Sequence, residues 1–297
     1  MYSELALYAA TPALAEKLLS DSLGDFEDVR RKDAVLQCGM LQPERVYVGS
    51  EMCARQLPSP HHLREILLKM KDLDLMVTLA LPILWMDEVK IGQELLSILA
   101  EVSPGSTEVV CNDIGMLSFV AGMNVGFLPV AGRLMTKTIR DPRFGMPPHP
   151  DFMAHPDVAF GSSLTAEPAA SLLTNLGVGR IEADVPLDMA ASHLCGKGFD
   201  VSVHYPWHYV TSARICSFAG VGKDHEKRFI TGGKCSRLCK EYFLLLRGNI
   251  QGDVILHGNT MLWRENESLS AASFPVKEPV PGLRLVFNPF DPELSKN

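Results

Sequence analysis

The stretch "RVYVGSEMCARQLPSPHHLREILLKMKDLDLMVTLAL", residues 45–81, decides the fold. "RVYVG" (45–49) and "MVTLAL" (76–81) are short apolar runs too hydrophobic to face water, as strands buried on both sides are. Between them "HHLREILLKMKDL" repeats Leu at helical spacing. Strand, helix and strand in succession make a β-α-β unit, the connection that parallel strands require.

Working outward, further strands are expected at "LALYA" (5–9), "TEVVC" (107–111), "VGFLPVAG" (125–132), "RIEADV" (180–185), "FDVSVH" (199–204), "DVILH" (253–257) and "LRLVF" (283–287). "MDEVKIGQELLSILAEV" reads as a helix opening on Asp87 and Glu88, acids that the helix dipole favours. "TAEPAASLLTNLGVG" reads as a helix capped by Thr165 and stopped by glycine. No dinucleotide glycine fingerprint follows the first strand, which argues against an open doubly wound sheet. The expected fold is α/β, a (β/α) TIM-like barrel forming one domain over 1–297. "RDPRFGMPPHPDFMAHPDVAF" (140–160) breaks the pattern with five prolines and reads as an insertion serving as a lid, partner contact or linker. The chain ends soon after "LRLVFNPFD", so the barrel is expected to be incomplete at its C-terminus.

Net charge is −7 with no basic block, which argues against nucleic-acid binding as the main activity. The N-terminus resembles neither a signal nor a transit peptide, and no apolar run reaches the roughly 18 residues of a membrane span. A cytoplasmic protein is expected. There an odd set of seven cysteines is a poor disulfide framework, which leaves metal binding or burial.

Cys235 and Cys239 in "KCSRLCKEYFLLL" stand four apart, so a helix beginning there would present both thiols on one face. Arg214, Lys234, Arg237 and Lys240 surround them and Cys216, and would lower the thiol pKa values. Cys53, just past the strand 45–49, stands where a barrel places functional loops and is the best fourth ligand. Four thiolates suit zinc or a [4Fe-4S] cluster, and one pair joined by two scattered cysteines leans toward the cluster. Cys38, Cys111 and Cys195 read as buried apolar residues.

"RVYVGSEMCARQ" (45–56), "VVCNDIGMLSFVAG" (109–122), "HYPWHYVTSARIC" (204–216) and the Cys235/Cys239 pair resemble the collagenase-like peptidase family of unassigned catalytic type, in its branch serving anaerobic ubiquinone biosynthesis. The resemblance runs from about Arg45 to Asn288. It implies a barrel, a [4Fe-4S] cluster on Cys53, Cys216, Cys235 and Cys239, and oxygen-independent hydroxylation of an aromatic substrate. It further implies prephenate as oxygen donor and a paralogous subunit in a heterodimer. This chain departs from the pattern in the extra Ile215 of "SARIC" and the long gap from Cys216 to Cys235.

Four further residues are catalytic candidates. His204 and His208 would share a face if one strand runs through both, with Arg214 beyond them as a carboxylate clamp. Asp113 follows a strand directly, at a position that suits either catalysis or a helix cap; Glu51 is a similar case with a weaker signal. Three other functions compete with the hydroxylase: RNA-base hydroxylation, as in sister members of the family; a non-catalytic subunit with a structural metal; and a peptidase, for which no nucleophile-base pair is evident in the sequence.

Overall fold

The computed structural model describes residues 2–9, 43–103, 105–136, 163–184, 198–231, 234–246, 253–264 and 280–288. Eight of its strands form a closed barrel: β1 (Tyr2–Ala9), β2 (Arg45–Gly49), β3 (Met76–Leu81), β4 (Glu108–Cys111), β5 (Leu128–Ala131), β6 (Arg180–Asp184), β7 (Asp200–Tyr205) and β12 (Val280–Phe287). All neighbours pair in parallel, and β12 seals the ring between β7 and β1. The expectation of an incomplete barrel is therefore corrected: the sheet is whole. The Pro-rich segment 140–160 lies outside the described residues, as do Cys38 and Cys195.

Four α-helices are described: α1 (Pro60–Asp72), α2 (Val89–Val102), α3 (Ile114–Gly122) and α4 (Glu167–Asn175). Ser59 caps α1 by accepting from the His62 amide, with proline in the first turn, as such starts prefer. Helix α4 begins at Glu167 with Ala166 at its N-cap, one residue later than the expected Thr165 cap. Among the described residues no helix is long and apolar enough to cross a membrane.

The chain leaves the barrel at Pro206, which has no N–H to continue the ladder, and builds a second sheet before returning as β12. This sheet is antiparallel, in the order β8 (Trp207–Ser212), β11 (Thr260–Arg264), β10 (Asp253–His257), β9 (Leu244–Leu246). The strand expected at 253–257 is present but belongs here, not to the barrel.

Side chains alternate with period two along every barrel strand. One set, including Val46, Val48, Leu79, Val109, Ile181, Val201 and Leu285, packs outward in the main apolar core with residues of the helices. The other set faces the barrel axis and combines a small cluster that includes Ala6, Ala80, Val110, Val130 and Val286 with many charged and hydroxyl groups, more polar than the branched aliphatic filling usual in such a barrel. At one end Arg284 is bonded to Glu108 (2.6 and 2.9 Å) and Arg45 to Glu4 (2.8 Å). In the middle the Tyr47 hydroxyl donates to Glu182 (2.9 Å) and accepts from Arg284 (2.8 Å). At the other end Arg133 holds Glu51 and Asp184.

Candidate metal centre

Cysteines from three separate segments reach one cavity of about 230 Å3 beyond the C-terminal ends of the barrel strands. Cys53 comes from the loop after β2, Cys216 from the turn after β8, and Cys235 and Cys239 from the segment before β9; all four line the cavity. The loop carrying Cys53 turns at Gly49, whose φ is +106° and where a Cβ would collide with the Ala80 carbonyl oxygen.

This loop is anchored from below. Glu51, 1% exposed, accepts from Arg133 Nε at 3.0 Å and Nη2 at 2.6 Å, while Arg133 Nη1 donates to Asp184 at 2.9 Å. Burial alone would raise the Glu51 carboxyl, but the charges of Arg133 and His204 and the Arg133 hydrogen bonds outweigh it and hold the group below its ordinary value. Ser50 Oγ accepts the Cys53 amide at 3.2 Å.

The loop is clamped from above by the β10–β11 turn. Asn259 Nδ2 donates to the Met52 carbonyl (2.9 Å) and to the Ala213 carbonyl (3.0 Å), tying the Cys53 loop to the Cys216 segment. His257 Nε2 is in hydrogen-bond contact with the Cys239 carbonyl. One short hairpin therefore touches all three cysteine-bearing segments or their immediate neighbours.

Each sulfur meets an N–H. Backbone amides of Arg55, of Phe218 and Ala219, and of Arg237 face Cys53, Cys216 and Cys235 respectively, and the Gln56 side chain faces Cys239 at 3.4 Å. Such donors favour thiolate over thiol. Burial nevertheless pushes the Cys53 and Cys216 thiols above their ordinary values, and neighbouring cysteines act in the same direction. For Cys216 this corrects the expectation that surrounding cations lower the thiol: Arg214 and Arg237 do line the cavity, but desolvation wins. Among the described residues no set of three His, Cys, Asp or Glu side chains stands in finished metal-ligating geometry. The thiols line the cavity, and binding a soft metal would expel their protons as it drew them together.

The expected helix under Cys235 and Cys239 is absent. Arg237 adopts a left-handed conformation (φ 58°) and Leu238–Lys240 form a single 3-10 turn, so the two cysteines share the cavity without sharing a helix face. Arg214 lies in the cavity wall with its guanidinium 3.7 Å from the Trp85 ring centroid, a cation–π stack. The other catalytic candidates stand elsewhere. His204 points into the barrel, bonded through Nε2 to Glu182 at 2.7 Å and flanked by Tyr8 and Tyr47. His208 begins a different sheet and packs on Trp263 at 5.3 Å; burial lowers it to about 4, so it is neutral near pH 7. The strand does not run through both histidines, because Pro206 separates β7 from β8. Asp113 is the N-cap of α3, accepting from the Met116 amide at 2.8 Å, and does not line the cavity. Cys111 is fully buried at the end of β4, and desolvation holds its thiol far above the ordinary value.

Residues missed from the sequence are Gln56, Trp85 and Asn259 in the cavity, and Arg133, Glu182 and Asp184 in the barrel mouth. A usable signal existed for Glu182 and Asp184, since charges at alternate positions of the otherwise apolar strand β6 must point at a buried partner, whereas Arg133 lies past the end of β5. Gly258-Asn259 between two apolar runs was likewise a hairpin signal.

No family model and no curated protein matches this chain. Among solved structures, it is similar to the U32 peptidase Mk0906, with a TM-score of 0.45 and 11% identity, over 98% of this chain and 94% of that one.

Proposed function

We propose that Cys53, Cys216, Cys235 and Cys239 bind a thiolate-ligated metal centre, with a [4Fe-4S] cluster as the assignment and a single zinc as the alternative. The observation that carries this reading is the convergence of four cysteines, from three segments distant in sequence, on one cavity in which every sulfur faces an N–H. The donor set fits: soft thiolates select cluster iron or zinc. A bound cluster of this type supplies one-electron transfer.

The chain's own residues would do the rest. Arg55, Arg214 and Arg237 offset the negative charge of a tetrathiolate site. The Arg214–Trp85 stack offers a flat cationic surface to a small anionic or aromatic ligand beside the centre. On the motif resemblance, the reaction is oxygen-independent hydroxylation of an aromatic substrate with prephenate as oxygen donor, carried out with a UbiU-like paralogous partner as in UbiV-type proteins. A cysteine-peptidase reading gains nothing from Cys53 and Cys216, because a nucleophilic thiol is depressed and these are raised.

Cysteine substitution tests the ligand set. Cys216→Ala and Cys239→Ala are expected to abolish metal binding after anaerobic reconstitution, while Cys111→Ala and Cys195→Ala retain it. Equal loss in all four, or retention in all four, refutes the assignment.

A further inference from the structure

The four sulfurs are not served alike. Backbone N–H groups two or three positions on face Cys53, Cys216 and Cys235: those of Arg55, of Ala219 and Phe218, and of Arg237. The corresponding amides for Cys239, those of Glu241 and Tyr242, are instead both spent on the Leu238 carbonyl, at 3.1 and 2.9 Å, because the chain turns there as a 3-10 helix. A side chain from another segment takes its place. Gln56 Nε2 lies 3.4 Å from Cys239 Sγ. Ser50 Oγ donates to Gln56 Oε1 at 3.1 Å, which fixes the end of the amide that faces sulfur. The pair packs against Gly258, whose φ of +65° favours glycine and where a Cβ would lie in ordinary van der Waals contact, 3.4 Å from Cys239 Sγ and 3.6 Å from Gln56 Nε2.

We propose that Gln56 is a positioning residue that supplies the fourth sulfur with its N–H and thereby sets the reduction potential of the centre. The proposal rests on the cluster reading of the cavity. An N–H directed at a ligand sulfur stabilises the more negative, reduced state of a cluster, so its loss moves the potential down. Gln56 also joins the Cys53 loop to Cys239, two ligands that are far apart in sequence.

The test uses the full chain, purified and reconstituted anaerobically, with the potential read from the visible spectrum during a mediated redox titration. Gln56→Leu removes the donor, and Gln56→Lys keeps an N–H donor and adds positive charge. In Gln56→Leu the oxidised-to-reduced ratio at fixed potential is expected to rise about tenfold, which is 59 mV for a one-electron couple. Gln56→Lys is expected to titrate at or above the wild-type potential. A merely structural role would not move the two variants in opposite directions. A cluster-loaded Gln56→Leu at the wild-type potential, or a Gln56→Lys below it, overturns the proposal alone. If Gln56→Leu does not fold, Gln56→Lys decides. A wild-type chain that assembles no cluster overturns both this inference and the reading beneath it.

Discussion

Replacing Arg133 by Met removes the cation that holds the barrel mouth together. Its side chain is 6% exposed, and the carboxylates it binds, Glu51 and Asp184, are 1% and 7% exposed, so all three charges are desolvated. At an effective dielectric near ~20, two unit charges about 4 Å apart attract by about 4 kcal/mol, and Arg133 makes two such pairs. Much of that gain offsets desolvation in the native protein, but the variant keeps two buried carboxylates and loses their partner. The expected cost is about 3–5 kcal/mol, as for other buried pairs broken on one side. For a chain of this size that is a fall in thermal midpoint on the order of 10 °C. Arg133→Met combined with Glu51→Gln removes one stranded charge and should recover a substantial part of the loss, since a neutral amide is far cheaper to bury than a carboxylate. Because Glu51 stands two residues before Cys53, the single variant should also lose metal. The assay is thermal unfolding followed by circular dichroism at pH 7 on wild type, both single variants and the double variant. A single Arg133→Met that costs under about 1 kcal/mol, or a double variant no more stable than it, would refute the view that this ion pair anchors the loop.

Three other outcomes follow from the geometry. For Glu108, burial pushes the carboxyl up, but hydrogen bonds and charge from Arg284, with Arg45 and Arg180, bring it down from 4.5 to about 2. Its stabilisation, on the order of 3 kcal/mol at 1.36 kcal/mol per pH unit, is therefore full above pH 4.5 and lost as the pH falls toward 2. Glu108→Gln should flatten that acid limb in thermal unfolding, and an unchanged limb contradicts the assignment. His208, held neutral by burial at about 4, binds fewer protons folded than unfolded, so stability falls as the pH drops from 6.5 toward 4. His208→Phe should remove that slope; an identical slope in the variant contradicts it. Asn259→Ala removes the two N–H donors that tie the Met52 and Ala213 carbonyls together, and should lower metal content at unchanged circular dichroism, whereas full loading would contradict the clamp.

The barrel was legible because its strands are short runs of mostly apolar residues, several of them separated by helices of ordinary spacing. All eight were located, and β2 and β3 to the residue. The second sheet was not legible in the same way. Strand β8 follows β7 across a single proline, so one apolar run conceals two strands in different sheets. Strand β9 is three leucines, which carry no strand preference over helix. Cys53, Cys216, Cys235 and Cys239, grouped in the sequence by their spacing and their place after strands, line one cavity, although the helix expected under the last two does not form: Arg237 turns left-handed between them. The histidines were misplaced for the same reason that β8 was missed. The Gln56–Cys239 contact and the ion pairs of Arg133 join segments far apart in sequence, which spacing along the chain does not reveal.

The central claim is that the four-cysteine cavity holds an iron-sulfur cluster. Anaerobic purification, followed by visible spectroscopy and analysis of iron, acid-labile sulfide and zinc, tests it directly. The account predicts a brown protein with about four irons and about four sulfides per chain after reconstitution. A colourless protein carrying about one zinc, or no metal at all, would contradict it.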